Sequence, residues 1–135
     1  MALTANRDVD HYVDQELRRV DVAGGAHLFK GALVEWNAGG FAQPVTGSGV
    51  FAGLAYEEVD NAAGADGAAS GRVYTLGDFE TALAGAVAAD VGRAVYARDD
   101  ESLTLDPQDA VLVGRVRGVV APGRIILRLA EGVRS

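Results

Sequence analysis

Gly31-Ala-Leu-Val34, a polar bridge rich in glycine, and Val50-Phe-Ala-Gly53-Leu-Ala55 form a pattern that recurs further along the chain. The second copy reads Gly92-Arg-Ala-Val95, another polar bridge, and Val111-Leu-Val-Gly114-Arg-Val116. Gly31 lies 22 residues before Gly53, and Gly92 lies 22 before Gly114. A shift of 61 places Gly31 on Gly92, Val34 on Val95, Val50 on Val111, Gly53 on Gly114 and Val59 on Val120, giving 5 identities in 29 pairs. Chance in a chain this rich in Gly, Ala and Val gives roughly two. The count leaves duplication and coincidence both open. The placement favours duplication, because the matches fall on glycines and on the apolar ends of strands.

Outward from these two stretches, short strand patterns recur with turn signals between them. Strands are expected at Val20–Val22, His27–Val34, Phe41–Val45 and Val50–Val59, then at Arg72–Leu76, Phe79–Leu83, Ala94–Ala97, Leu103–Leu105, Val111–Val120 and Arg124–Leu129. Asn37-Ala-Gly-Gly40 and Thr46-Gly-Ser-Gly49 read as turns, since Asn and Gly tolerate positive φ. Pro44 suits a strand end or an edge. The fold class this predicts is all-β, a single compact β-barrel or sandwich of two pseudo-repeated units.

The ends differ from the body. Residues 1–21 are polar and strongly charged. Val9, Tyr12, Val13, Leu17 and Val20 stand near helical spacing, with Asp8 or Asp10 able to cap a short helix. The alternative is an extended arm that orders against a partner. The expected organisation is an arm over 1–21, a β domain over 22–130 with repeats at 31–59 and 92–120, and a frayed tail over 131–135.

Composition narrows the function. The formal charge is −7, from 19 acids against 12 bases, which disfavours a partner made of nucleic acid. Arg115, Arg117, Arg124 and Arg128 gather near the C-terminus, where alternation reads as a solvated sheet face. There is no cysteine, so disulfides and thiolate metal sites are unavailable. No apolar run approaches the ~18 residues of a membrane span. Met1-Ala-Leu-Thr-Ala-Asn-Arg-Asp8 has no signal-peptide core, so synthesis in a cytoplasm without secretion is expected.

No catalytic constellation emerges. His11 and His27 cannot complete a common zinc site without cysteine. Asp60, Asn61 and Asp66 with Gly64 and Gly67 are similar in composition to a calcium loop but lack the EF-hand spacing and its closing glutamate. They read better as an Asx-rich turn. Asp99, Asp100 and Glu101 read as a hairpin tip. None of Ser48, Ser70, Ser102 and Ser135 sits in a nucleophile elbow. Gly77-Asp-Phe-Glu80 is not followed by the Gly-Lys-Ser/Thr of a phosphate loop. Glu57 and Glu58 point to opposite faces if in a strand. Trp36, Tyr56, Tyr74, Phe79 and Tyr96 suit an interface or a core equally.

Three stretches together carry a resemblance. They are Val50-Phe-Ala-Gly-Leu-Ala-Tyr-Glu-Glu-Val-Asp-Asn-Ala-Ala-Gly-Ala-Asp-Gly67, Arg72-Val-Tyr-Thr-Leu-Gly-Asp-Phe-Glu80 and Asp90-Val-Gly-Arg-Ala-Val-Tyr-Ala-Arg-Asp-Asp-Glu-Ser-Leu-Thr-Leu105. With Asn6-Arg-Asp-Val-Asp10 they make the chain resemble the capsid cement, or head-decoration, proteins of tailed phages and prophages. Some members carry recombinase-like names, which this chain has no nucleotide-binding loop to support.

The resemblance implies a non-enzymatic virion protein without cofactor, held on the exterior of the capsid by the major capsid protein. It implies a homo-oligomer, with a trimer favoured over a dimer or monomer. The segments without an echo in the repeat are the natural contact candidates: Val9, Tyr12, Val13 and Leu17 in the arm, and Asp60, Asn61 and Asp66 in the long loop. A tail or baseplate β module, or a ligand-binding or enzymatic β-barrel, are the competing readings.

Overall fold

The computed structural model describes residues 16–132. Among the described residues twelve strands are formed: β1 (Leu17–Asp21), β2 (His27–Leu28), β3 (Leu33–Trp36), β4 (Ala42–Pro44), β5 (Val50–Ala55), β6 (Val59–Asp60), β7 (Ser70–Tyr74), β8 (Asp78–Ala82), β9 (Ala94–Ala97), β10 (Leu103–Thr104), β11 (Val111–Ala121) and β12 (Arg124–Leu129). The helical content of the described residues is one 3-10 turn, Ala88–Asp90. One antiparallel sheet runs β1-β7-β5-β3-β4, a second runs β10-β9-β11-β12-β8, and β2 pairs with β6 in a small ribbon. The protein is all-β.

The two five-stranded sheets are copies at the level of register. In the first, Leu33 faces Leu54, Val34 faces Gly53, Glu35 faces Phe51 and Trp36 faces Val50. A shift of 61 turns these four pairs into Ala94–Arg115, Val95–Gly114, Tyr96–Leu112 and Ala97–Val111, the pairs that join β9 to β11. Both ladders carry a bulge at the same step. Glu35–Gln43 and Trp36–Ala42 likewise become Tyr96–Thr104 and Ala97–Leu103. β1 and β8 correspond by the same shift, facing β7 and β12 residue for residue: Leu17 lies opposite Tyr74 as Asp78 lies opposite Arg128. Duplication accounts for this agreement, and the repeat is wider than 31–59 and 92–120, because it takes in β1 and β8.

The correspondence locates the difference between the copies. From β5 to β7 the first unit carries seven more residues than the second does from β11 to β12. In the first, the chain leaves the sheet after Ala55, forms β6 against β2, and then makes a long loop before Ser70. In the second, β11 continues to Ala121 and turns directly into β12. The long strand expected over Val50–Val59 is therefore two short ones, and that expected over His27–Val34 is broken into β2 and β3. The break is a turn at Gly31, whose φ of 87° suits glycine.

The arm expectation needs a correction. Residues 17–21 are not part of an arm or a helical turn but an edge strand, and Val20 within it is 2% exposed. The helical spacing of Leu17 and Val20 is overridden by the strand partner Arg72-Val-Tyr74, which lies far away in sequence. Residues 1–15 of the arm and 133–135 of the tail lie outside the described residues.

Two apolar clusters fill the body. Val22, Val34, Ala52, Ala55 and Val73 of the first unit share a cluster with Leu28 and Val59 of the β2–β6 ribbon. Their counterparts Leu83, Val95, Val113, Val116 and Leu127 lie in a second cluster, which also takes Leu33, Val45 and Phe51 from the first unit. That second cluster ties the two units together. None of these counterparts is smaller, and four are larger. The unit with smaller inner side chains is the one that adds a ribbon to complete its packing.

Candidate functional site

Two buried polar nodes hold the first unit. Glu35 on β3 is fully buried. Its Oε2 accepts hydrogen bonds from Gln43 Nε2 and Thr46 Oγ1, both at 2.7 Å, and its Oε1 accepts one from the Gly49 amide at 3.1 Å. Burial pushes this carboxyl up, but the bonds from Gln43, Thr46 and the Thr46 and Gly49 amides outweigh it. The net result holds Glu35 below the ordinary carboxylate range. It fastens the edge strand β4 and the Thr46–Gly49 turn to the sheet. Its counterpart in the second unit is Tyr96, so this tie belongs to one copy.

The second node is Asn61. Its side chain is buried, and Nδ2 donates to the carbonyls of Val22 (3.1 Å), Ala23 (3.1 Å) and Ala65 (2.9 Å). Asp66 Oδ1 accepts from the Gly24 amide at 2.8 Å, and Asp60 Oδ1 from the Ala62 amide at 2.9 Å. The loop of residues 60–69 is thus stitched onto the Val22–Ala26 turn. Of the three contact candidates in this loop, Asn61 is withdrawn: a side chain committed to three internal carbonyls is not a surface contact. Asp66 has a capping role, and Asp60 stays exposed.

Beside Asp60 the ribbon presents His27, whose Nε2 lies 2.7 Å from Glu58 Oε2 and whose ring stacks on Phe29 at 4.2 Å. Phe29 is 56% exposed. Among the described residues no three His, Asp or Glu side chains converge as a metal site. Leu17, the arm candidate that is described, lies opposite Tyr74 at the sheet edge. Val9, Tyr12 and Val13 lie outside the described residues.

The second unit exposes a charged ladder along its edge. Asp78 lies 3.4 Å from Arg128 and 3.7 Å from Arg117, and Glu80 lies 2.9 Å from Arg124. Three of the four clustered arginines are therefore paired to the acids of β8. The aromatic rings form a chain between the units, with Tyr56 edge-on to Tyr74 at 5.3 Å and Tyr74 tilted on Phe79 at 5.1 Å. Tyr74 and Phe79 pack on the shared cluster, which places them as core pieces. A cavity of about 290 Å³ opens at the seam, lined by Leu33, Leu54, Phe79 and Leu103 together with the acids Glu80, Asp100 and Glu101.

Sequence reasoning passed over Glu35 because one glutamate between Val34 and Trp36 is an ordinary strand residue. Its role depends on partners 8 to 14 residues away. The class defined here is a doubled all-β protein built from two copies of one five-stranded unit. No family model, curated protein or solved structure matches the chain.

Proposed function

We propose that this protein is a structural virion protein that binds the outside of a capsid lattice and stabilises the head, as a cement or decoration protein. The observation that carries this reading is the doubling. β1 and β8 are equivalent five-residue strands, and each lies at the edge of its sheet. A body with two like-built edges suits attachment to a surface that is itself made of repeated subunits. Edge strands also offer unpaired amides and carbonyls for strand addition.

Two further features support the reading. The residues that resemble the cement family, 50–67, 72–80 and 90–105, run through both units and across their junction. The loop over 60–69 and the Thr46–Gly49 turn are fastened by buried hydrogen bonds, which favours a rigid body. In this reading the partner is the major capsid protein and the body acts as a homo-oligomer, a trimer first. It performs no catalysis and needs no cofactor.

The test is to add purified protein to particles that lack it. Saturable binding and a gain in resistance to heat and internal pressure are expected. Absence of binding, with unchanged resistance after deletion of the gene, overturns the reading. Label found on the tail by electron microscopy moves the protein to a tail or baseplate module. One observation speaks for a small-ligand-binding barrel instead, the cavity at the seam, whose size is at the low end for ligand pockets.

A further inference from the structure

The two units stack with unlike faces in contact. Leu33 and Phe51 of the first sheet are buried in the shared cluster, and Leu54 and Tyr74 pack against it. They share it with Val95, Val113, Val116 and Leu127 of the second sheet. The counterparts of these four, Val34, Ala52, Ala55 and Val73, lie on the other face of the first sheet, in the cluster that the β2–β6 ribbon completes. The seam is therefore heterologous, head to tail. Such a stack leaves one unmatched face at each end.

At one end stands the outer face of the second sheet, whose residues correspond to those of the seam. Leu33, Phe51 and Leu54 become Ala94, Leu112 and Arg115 by the shift of 61. Tyr74, which faces Leu54, becomes Arg128, which faces Arg115. The apolar seam is thus recast as an arginine face, with Arg117 and Arg124 beside this pair and Leu112 46% exposed. Arg117 and Arg128 share one acid, Asp78, and Arg124 takes Glu80. Among the described residues no carboxylate pairs with Arg115. Like charges directly opposite on neighbouring strands repel, so the Arg115–Arg128 pair favours an incoming anion.

We infer that this arginine face binds the β2–β6 ribbon of a second copy of the chain. The ribbon is the other end of the stack. Leu28 and Val59 are buried beneath it, so His27, Phe29, Glu58 and Asp60 alternate to its outer side. Glu58 is positioned by His27 at 2.7 Å and Asp60 by the Ala62 amide at 2.9 Å. Both side chains still remain exposed, at 59% and 63%.

Charge and shape select this occupant. Around the ribbon Glu58, Asp60 and Asp66 stand against one cation, Lys30, because Arg72 is taken by Glu57 at 2.7 Å. The arginine face has the opposite excess, four arginines against Asp78 and Glu80. Exposed Phe29 on the ribbon finds Leu112 and its cross-strand neighbour Tyr96 on the face. Complementary charge fixes the register of such a contact, and arginine and aromatic residues supply its anchors. The new contact runs in the same head-to-tail sense as the seam within the chain, so each copy offers one face and one ribbon. A polyphosphate fits less well, since Asp78 and Glu80 stand among the arginines and the body around them is acidic. The inference rests on the homo-oligomer of the reading above and needs no capsid, so its failure and the failure of capsid binding are read in separate experiments.

The test is sedimentation velocity of the full chain over a wide concentration range, in low and in high salt. Self-association that weakens with salt is expected. Arg115→Glu and Glu58→Lys should each weaken it by about ten-fold or more, since each sets like charges against one another. A mix of the two variants should restore it, because Arg115→Glu keeps a sound ribbon and Glu58→Lys a sound face. A parent that stays monomeric at every concentration, association indifferent to both substitutions, or a mix that stays as weak as either variant alone overturns the inference. Double-stranded DNA bound through Arg115 by a monomeric parent overturns it too. Circular dichroism of each variant, matching the parent, excludes misfolding as the cause of lost association.

Discussion

Val34 lies directly opposite Gly53 in the first sheet, and the relationship is repeated as Val95 opposite Gly114 in the second. In both places a β-bulge follows, so the glycine sits where the strand bends. A methyl group on Gly53 would overlap the Tyr74 carbonyl oxygen, and one on Gly114 the Arg128 carbonyl oxygen. Gly53 also has φ 152°, inside the region that favours glycine.

Gly53→Ala and Gly114→Ala are therefore expected to destabilise the protein by about 1–3 kcal/mol each, the range for an overpacked interior. Backbone, not a flexible side-chain tip, must give way. Urea unfolding of the two variants measures this. Equal stability to the parent would show that the bulges yield without cost.

Glu35→Ala leaves the donors of Gln43, Thr46 and Gly49 facing an empty space. An unsatisfied buried donor costs about 1–3 kcal/mol, so a loss of several kcal/mol is expected unless water enters. Glu35→Gln keeps one acceptor oxygen but turns an amide NH2 toward donors, and its loss should be smaller. Thermal unfolding ranks the two.

The pH dependence has a defined sign. The folded-state pKa of Glu35 is depressed below its ordinary 4.5. Its contribution is therefore present above that value and is lost as pH falls through the folded pKa. Asp99 is shifted the same way by the Glu101 and Ser102 amides, but it is solvent-exposed and its effect is screened. The parent should lose stability below about pH 4.5 more steeply than Glu35→Gln, with no difference in slope from pH 6 to 8. Parallel curves in acid would remove Glu35 as the cause.

Asn61→Asp replaces the donor to three carbonyls with a carboxylate oxygen, so attraction becomes repulsion. A loss of about 3 kcal/mol or more is expected for an uncompensated buried charge. The loop over 60–69 should also become a protease site, because its main anchor is gone. Limited proteolysis with mass mapping reads both effects. Resistance equal to the parent would show that Asp66 and the backbone bonds suffice.

Truncation separates arm from body. Removing residues 1–15 should lower the melting temperature far less than removing 1–21. The longer deletion strips β1 from β7 and exposes the apolar layer that Val20 covers. Similar losses for the two truncations would place the weight on the first 15 residues.

Much of the scaffold was legible in the chain itself. Alternating apolar residues and Gly, Asn and Pro signals marked most of the strands, since side-chain period and turn geometry are local properties. The repeat showed through because Gly31, Gly53, Gly92 and Gly114 answer backbone demands that larger side chains meet badly. Three features became visible only once strands distant in sequence were brought together. Leu17–Asp21 is a strand because Ser70–Tyr74 is there to pair with it. Glu35 and Asn61 are nodes because their partners converge in space.

The sequence by itself determined an acidic, cysteine-free, all-β chain built on a duplicated plan, because composition and short-range periodicity act residue by residue. Tertiary structure decided that one copy is bridged at Val22–Ala42, whereas among the described residues no such bridge joins the counterpart pair Leu83 and Leu103. That difference lies in long-range pairing and in seven residues of loop, and no local pattern encodes it.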